Sequence, residues 1–157
     1  GFLKNEEVIK VEKEVANFVK EYLDGRKIEF TQNNLYNYIG HKNNEVMLAS
    51  ASIYPVINAI AKDLKISKFL STQLVVKNGK YTGEIENDTE GIKHIEVSNT
   101  LQSNKLNELI FYTDNKEDLQ LALKANKAVI ITKDKNYSFW EKALRNHKNF
   151  KIKNGYV

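Results

Sequence analysis

The reading of this chain turns on residues 109–119, LIFYTDNKEDL. Leu109 to Thr113 form an apolar, aromatic-rich run that Asp114 closes, and Asp118 follows as a helical pattern begins. Such a run, bounded by polar residues, reads as a buried strand. Two acids at a strand-to-helix junction have two explanations. Either they serve the start of the helix, whose N-terminal dipole favours negative charge, or they face a cation or a phosphate.

The same pattern recurs on both sides. EVMLAS (45–50) is a short apolar run ending in small polar residues, and AVIIT (128–132) is a third buried strand. Helical spacing separates them. Val8, Val11, Val15, Phe18, Val19 and Leu23 predict a helix over about 4–24, stopped by Asp24-Gly25. Thr31, Asn34, Leu35 and Ile39 suggest a short second helix, and Val56, Ile57, Ile60, Ala61 and Leu64 a third over 54–64. Residues 73–85 hold two β-like runs around Asn78-Gly79, a strong hairpin signal. Residues 91–106 read as a broken helix, 117–126 and 137–147 as helices, and FKIK (150–153) as a last short strand. Strands that are apolar throughout and alternate with helices predict an α/β fold with a parallel sheet covered on both faces. Ligands of such sheets bind outside the carboxyl ends of the strands. That edge would receive Ser50 and Ser52 from one strand and Asp114 and Asp118 from another.

The bulk properties narrow the classes. A chain of 157 residues is the size of one ordinary domain. With 41% hydrophobic and 28% charged residues it is globular rather than disordered. Cysteine is absent, which excludes disulfides, cysteine–zinc sites and thiol catalysis and makes a reducing, cytoplasmic compartment the expectation. No apolar run is long enough to span a membrane, and GFLKNEEVIKVEKEVANF (1–18) carries too many charges for a signal peptide. The net charge of +4 comes from interspersed residues, with no basic stripe carrying aromatics. A nucleic-acid partner is therefore not expected.

Several residues carry candidate chemistry. Ser50, with the N–H groups of Ala51 and Ser52 at an expected helix start, would form an anion cradle, although serine is also a common N-cap. Asp114 and Asp118 would suit Mg²⁺, a hard cation that takes oxygen ligands and retains water. Lys93, after Gly91, would neutralise a phosphate or else be one solvated lysine among many. His41, His94 and His147 have no metal-ligand spacing and read as surface residues, and Trp140 with Phe139 reads as core.

Together these segments resemble the phosphatases of the haloacid dehalogenase superfamily, in the branch similar to phosphoserine phosphatase. VMLASAS resembles the family's serine-ending second motif and gives Ser50; TEGIK resembles the lysine motif and gives Lys93, with spacing off by one. FYTDNKEDL resembles the metal motif and gives Asp114 and Asp118, with Thr-Asp-Asn where the family usually has Gly-Asp-Ser. The resemblance covers about residues 30–157. It implies a Rossmann-like core, a Mg²⁺ cofactor held by Asp114 with Asp118 supporting it, and a small phosphorylated metabolite as substrate. It also implies that Ser50 and Lys93 hold the phosphoryl oxygens, with Lys93 as a catalytic group.

One departure is large. The family's first motif is a strand ending in Asp-x-Asp that supplies the nucleophile, and no Asp-x-Asp occurs here. Residues 1–25 resemble the last helix of a cap region, and 26–157 a core without its first strand. The expectation is a piece of a longer polypeptide, inactive alone, whose sheet is completed by a preceding segment or a second chain. The alternative is a catalytically inactive relative whose phosphate cradle binds an anion or a partner.

Overall fold

The computed structural model describes residues 3–103 and 108–155. Helices and strands alternate: α1 (Val8–Leu23), α2 (Glu29–Ile39), β1 (Met47–Ile53), α3 (Tyr54–Asp63), β2 (Lys68–Lys77) and β3 (Lys80–Asn87) come first. They are followed by α4 (Lys93–Ser103), β4 (Ile110–Thr113), α5 (Leu119–Lys124), β5 (Lys127–Thr132), α6 (Asp134–Leu144) and β6 (Phe150–Asn154). This is the α/β class expected. Positions 104–106 of the predicted fourth helix lie outside the described residues, as do 1, 2, 156 and 157 of the two predicted segments. By its contacts the chain divides into two compact units, Gly1–Lys93 and His94–Val157.

In the first unit β1 runs parallel to β2, with Met47, Leu48 and Ala49 opposite Lys68, Phe69 and Leu70. β2 then folds back on antiparallel β3 through Asn78-Gly79. Both turn residues have positive φ, 51° and 74°. A two-residue hairpin turn of this hand needs that conformation, and Asn-Gly reaches it at least cost. The other edge of β3 is covered by the chain's own beginning. Asn5 N–H donates to Tyr81 O, Tyr81 N–H to Glu6 O, and Val8 N–H to Gly79 O. This pairing protects the start of that edge, at residues 79–81. α1 packs against α3, and its inward stripe reaches the sheet. Val11 joins buried Leu74 and Tyr81, with Val8, Val15 and Ile53 around them.

In the second unit β4, β5 and β6 form a parallel sheet in chain order. Ala128 and Ile130 on β5 pack with Ala122 of α5 and with Trp140 and Leu144 of α6; all five are fully buried. Val129 and Ile131 point to the opposite face by strand periodicity and are buried too. A strand covered on both faces is apolar throughout, which is why AVIIT carries no alternation.

Two details differ from the sequence reading. The parallel sheet is expressed as two three-stranded sheets, β1-β2-β3 and β4-β5-β6, because each ladder forms between strands consecutive in the chain. β2 starts at Lys68 rather than at 73, since its first half pairs with β1. Ser71 and Thr72 lie in its middle and are only 3% exposed, so its buried part does not read as apolar.

Candidate active site

The end of β1 leaves the ladder. From Ala49 to Ile53 the chain advances four residues, while its partner advances two, from Leu70 to Thr72. Ser50, Ala51 and Ser52 therefore bulge out of the sheet. Bulges recur beside active sites because they re-aim side chains and free backbone groups. The groups freed here find specific partners. Ser52 N–H donates to Ser50 Oγ at 3.1 Å. Thr89 Oγ1 donates to Ser50 O at 3.0 Å, and Thr72 Oγ1 to Ala51 O at 2.9 Å. Ser50 is half-buried, whereas Ala51 and Ser52 are exposed.

This corrects the expectation of a helix starting at Ser50. α3 starts at Tyr54, with Ile53 in the cap position and Pro55 in the first turn, where a missing N–H costs nothing. Ser50 is thus neither a cap nor inside a helix. It lies at the carboxyl end of a parallel strand, in the bulge.

Lys93 opens α4 and is half-buried. Its backbone N–H donates to Thr89 O, so the turn that carries Lys93 hangs from the residue that holds the Ser50 carbonyl. A cation in a first helical turn opposes the helix dipole, at a cost of about 0.3–1 kcal/mol.

In the second unit the buried Thr113 side chain ends β4, and Asp114 emerges exposed at its carboxyl end. The following turn is tightly wired. Thr113 Oγ1 donates to Asp118 Oδ2 at 2.7 Å and accepts from Asn115 N–H at 3.0 Å. Asn115 Oδ1 caps the short 3₁₀ turn Lys116–Asp118 by accepting from Glu117 N–H at 3.1 Å. The capping side chain is therefore Asn115; Asp118 stands in the cap position of α5 but its side chain makes no capping bond. Asp118 is 8% exposed and holds the Thr113 hydroxyl, while Asp114 projects to solvent.

Carboxylate oxygens are the donor type Mg²⁺ takes, and it commonly binds through one or two carboxylates plus water and substrate phosphate. The exposed Asp114 carboxylate fits that minimum, with buried Asp118 bracing its turn. Among the described residues no three His, Asp, Glu or Cys side chains converge to hold a metal without such help.

Ser50 and Lys93 share the first unit, and Asp114 and Asp118 the second. A polar cleft lined by Asn34, Tyr38, His41 and Lys42 contains none of them. His147 is not a simple surface residue. Its Nδ1 accepts from Asn149 N–H at 3.2 Å, which leaves Nε2 protonated to donate to Ala125 O at 2.8 Å. Thr72 and Thr89 escaped the sequence reading, and Thr113 and Asn115 entered it only as a departure from Gly-Asp-Ser, with no role. Their only signal was position: a polar pair within a strand, a threonine before Glu-Gly, and the residues flanking Asp114.

The chain belongs to the haloacid dehalogenase-like hydrolases, whose family model matches residues 6–123. Its fold is shared with a Bordetella pertussis Tohama I protein of unknown function, at a TM-score of 0.80 and 14% identity over 96% of this chain and 69% of that one. It is also shared with phosphoserine phosphatases. A substrate-bound complex gives a TM-score of 0.63 at 19% identity, covering 98% of this chain and 68% of that one. A phospho-aspartyl intermediate analogue gives 0.59 at 21%, covering 82% and 60%. No curated protein matches the chain. No described helix is long and apolar enough to cross a membrane.

Proposed function

We propose that the protein is a Mg²⁺-dependent phosphomonoester hydrolase acting on a small phosphorylated metabolite. The observation that supports this best is that, in a haloacid dehalogenase-like chain, regular pairing of β1 stops just before Ser50 and β4 is followed directly by Asp114. The Ser50 hydroxyl binds a phosphoryl oxygen, oriented by the Ser52 N–H that donates to its Oγ rather than to the phosphate, and Lys93 offsets the charge that builds on the phosphoryl oxygens during transfer. Mg²⁺, when bound, screens phosphate charge; Asp114 holds it, and Asp118 fixes the turn that presents Asp114. The phosphoryl group passes to a carboxylate outside these 157 residues, supplied by a preceding segment or a second chain, as the ester P–O bond breaks and the alkoxide takes a proton from solvent and leaves as the alcohol. Water then attacks phosphorus, releasing orthophosphate and the carboxylate.

The test is Mg²⁺-dependent hydrolysis of an aryl phosphate by the full-length protein. Asp114→Asn should abolish turnover while the thermal transition is unchanged; undiminished turnover refutes the assignment. The absence of Asp-x-Asp favours a second reading, an anion-binding relative without activity. It predicts orthophosphate binding with no hydrolysis in the full-length protein.

A further inference from the structure

We propose that Thr89 and Thr72 are positioning residues. As a buried hydroxyl pair they hold the Ser50–Ser52 bulge and the Lys93 turn in one fixed arrangement, which sets the affinity for a phosphoryl group. The inference rests on the phosphatase reading of Ser50 and Lys93. The two hydroxyls are 3.1 Å apart, and the residues are 2% and 3% exposed. A bulge takes backbone carbonyls out of the ladder, and a buried carbonyl needs a donor. Each threonine hydroxyl has one proton to give. Thr89 gives its proton to Ser50 O. For Thr72, Ala51 O is the nearest acceptor at 2.9 Å, ahead of Asp88 Oδ1 at 3.3 Å.

The remaining valences tie the two segments together. Thr89 N–H donates to Thr72 Oγ1, and Glu90 N–H to Asp88 Oδ1. Lys93 N–H donates to Thr89 O. A continuous path therefore runs from the Ser50 carbonyl through the Thr89 hydroxyl and carbonyl to the Lys93 amide. Serine and lysine come from elements 43 positions apart in sequence, yet one threonine bonds both backbones. The pair explains why two threonines are buried beside the Ser50–Ser52 bulge, where apolar side chains would fill space but give no proton to the partly buried carbonyls of Ser50 and Ala51.

The test uses orthophosphate as probe on the full-length protein, read by amide chemical shifts, with hydrogen exchange at residues 50–53 as a second measurement. Thr89→Val keeps the shape and removes the hydroxyl. It should weaken orthophosphate binding about tenfold or more, the order expected when a buried acceptor loses its donor, and should speed exchange at 50–53. Thr89→Ser should restore both, and Thr72→Ser should resemble the wild type. Wild-type affinity in Thr89→Val overturns the positioning role, and continued Mg²⁺-dependent hydrolysis by the unmodified protein would leave the phosphatase reading standing. An unmodified protein that neither binds orthophosphate nor hydrolyses aryl phosphate overturns both. If Thr89→Val does not fold, Thr72→Val with Thr72→Ser as rescue decides on the same two readouts.

Discussion

The turn from β4 into α5 offers a quantitative check on the wiring around Asp114. Thr113 and Asp118 are each 8% exposed, and the hydroxyl-to-carboxylate bond is 2.7 Å. That length is typical of a charge-assisted bond between O–H and an ionised oxygen. Thr113→Val replaces the hydroxyl with a methyl of the same shape. It strips Asp118 Oδ2 of the Thr113 proton and Asn115 N–H of its acceptor. A hydrogen bond to a charged group contributes about 1.5–3 kcal/mol, and the exposed loss at Asn115 adds little, so about 2–3 kcal/mol of destabilisation is expected. Thr113→Ser keeps the hydroxyl and should cost under about 1 kcal/mol. In the D118N background the same Thr113→Val change should cost only about 1 kcal/mol, because the acceptor is then a neutral amide. Urea unfolding followed by tryptophan fluorescence reads this unit directly, since Trp140 is the only tryptophan and is fully buried in its core. A Thr113→Val cost under about 0.5 kcal/mol, or equal costs in both backgrounds, would refute the claim that the buried charge anchors the turn.

Other expectations follow from single contacts. Leu144→Ala removes a fully buried side chain packed on Trp140 and should cost about 2–5 kcal/mol in the same fluorescence assay. His147→Ala loses bonds to Ala125 O and from Asn149 N–H and should cost on the order of 1 kcal/mol, measurable by urea midpoint. Burial first, then the Glu12 carboxylate and Tyr54, push the Tyr81 phenol up from its usual value. Tyr81 therefore stabilises the fold fully below the unfolded phenol range near 10, and this contribution is lost as pH rises through the higher folded value. Tyr81→Phe should flatten the alkaline fall in melting temperature above about pH 10; an unchanged fall would count against it.

The elements were legible because their apolar spacing is local. Val129, Ile130 and Ile131 are buried on both faces of one strand and read as an unbroken run. The Asn78-Gly79 hairpin was legible because few pairs accept two positive φ angles in succession. β2 was legible only in its second half, because Ser71 and Thr72 hide polar side chains in a buried stretch. Thr72 meets the carbonyl of Ala51 and the turn at 88–90, while Ser71 Oγ accepts from Gln73 Nε2 two residues on. No periodicity within residues 68–77 can report a partner supplied by another segment.

The candidate site divides along the same line. Asp114 could be singled out because a strand and an acid are adjacent in sequence. Asp118 was named as its support only through the family resemblance; how it acts was not legible, since its side chain makes no capping bond and is buried as the acceptor for Thr113. Ser50 was noticed as a strand end, but the helix start expected beside it was wrong. Its position instead follows from a two-residue mismatch between β1 and β2, a property of a pair of strands. The same holds for Lys93: one lysine among 24 basic residues carries no signal until its amide is found on the threonine that holds Ser50. What sequence leaves out at such a site is the set of backbone groups that a bulge releases, together with the distant hydroxyls that must meet them.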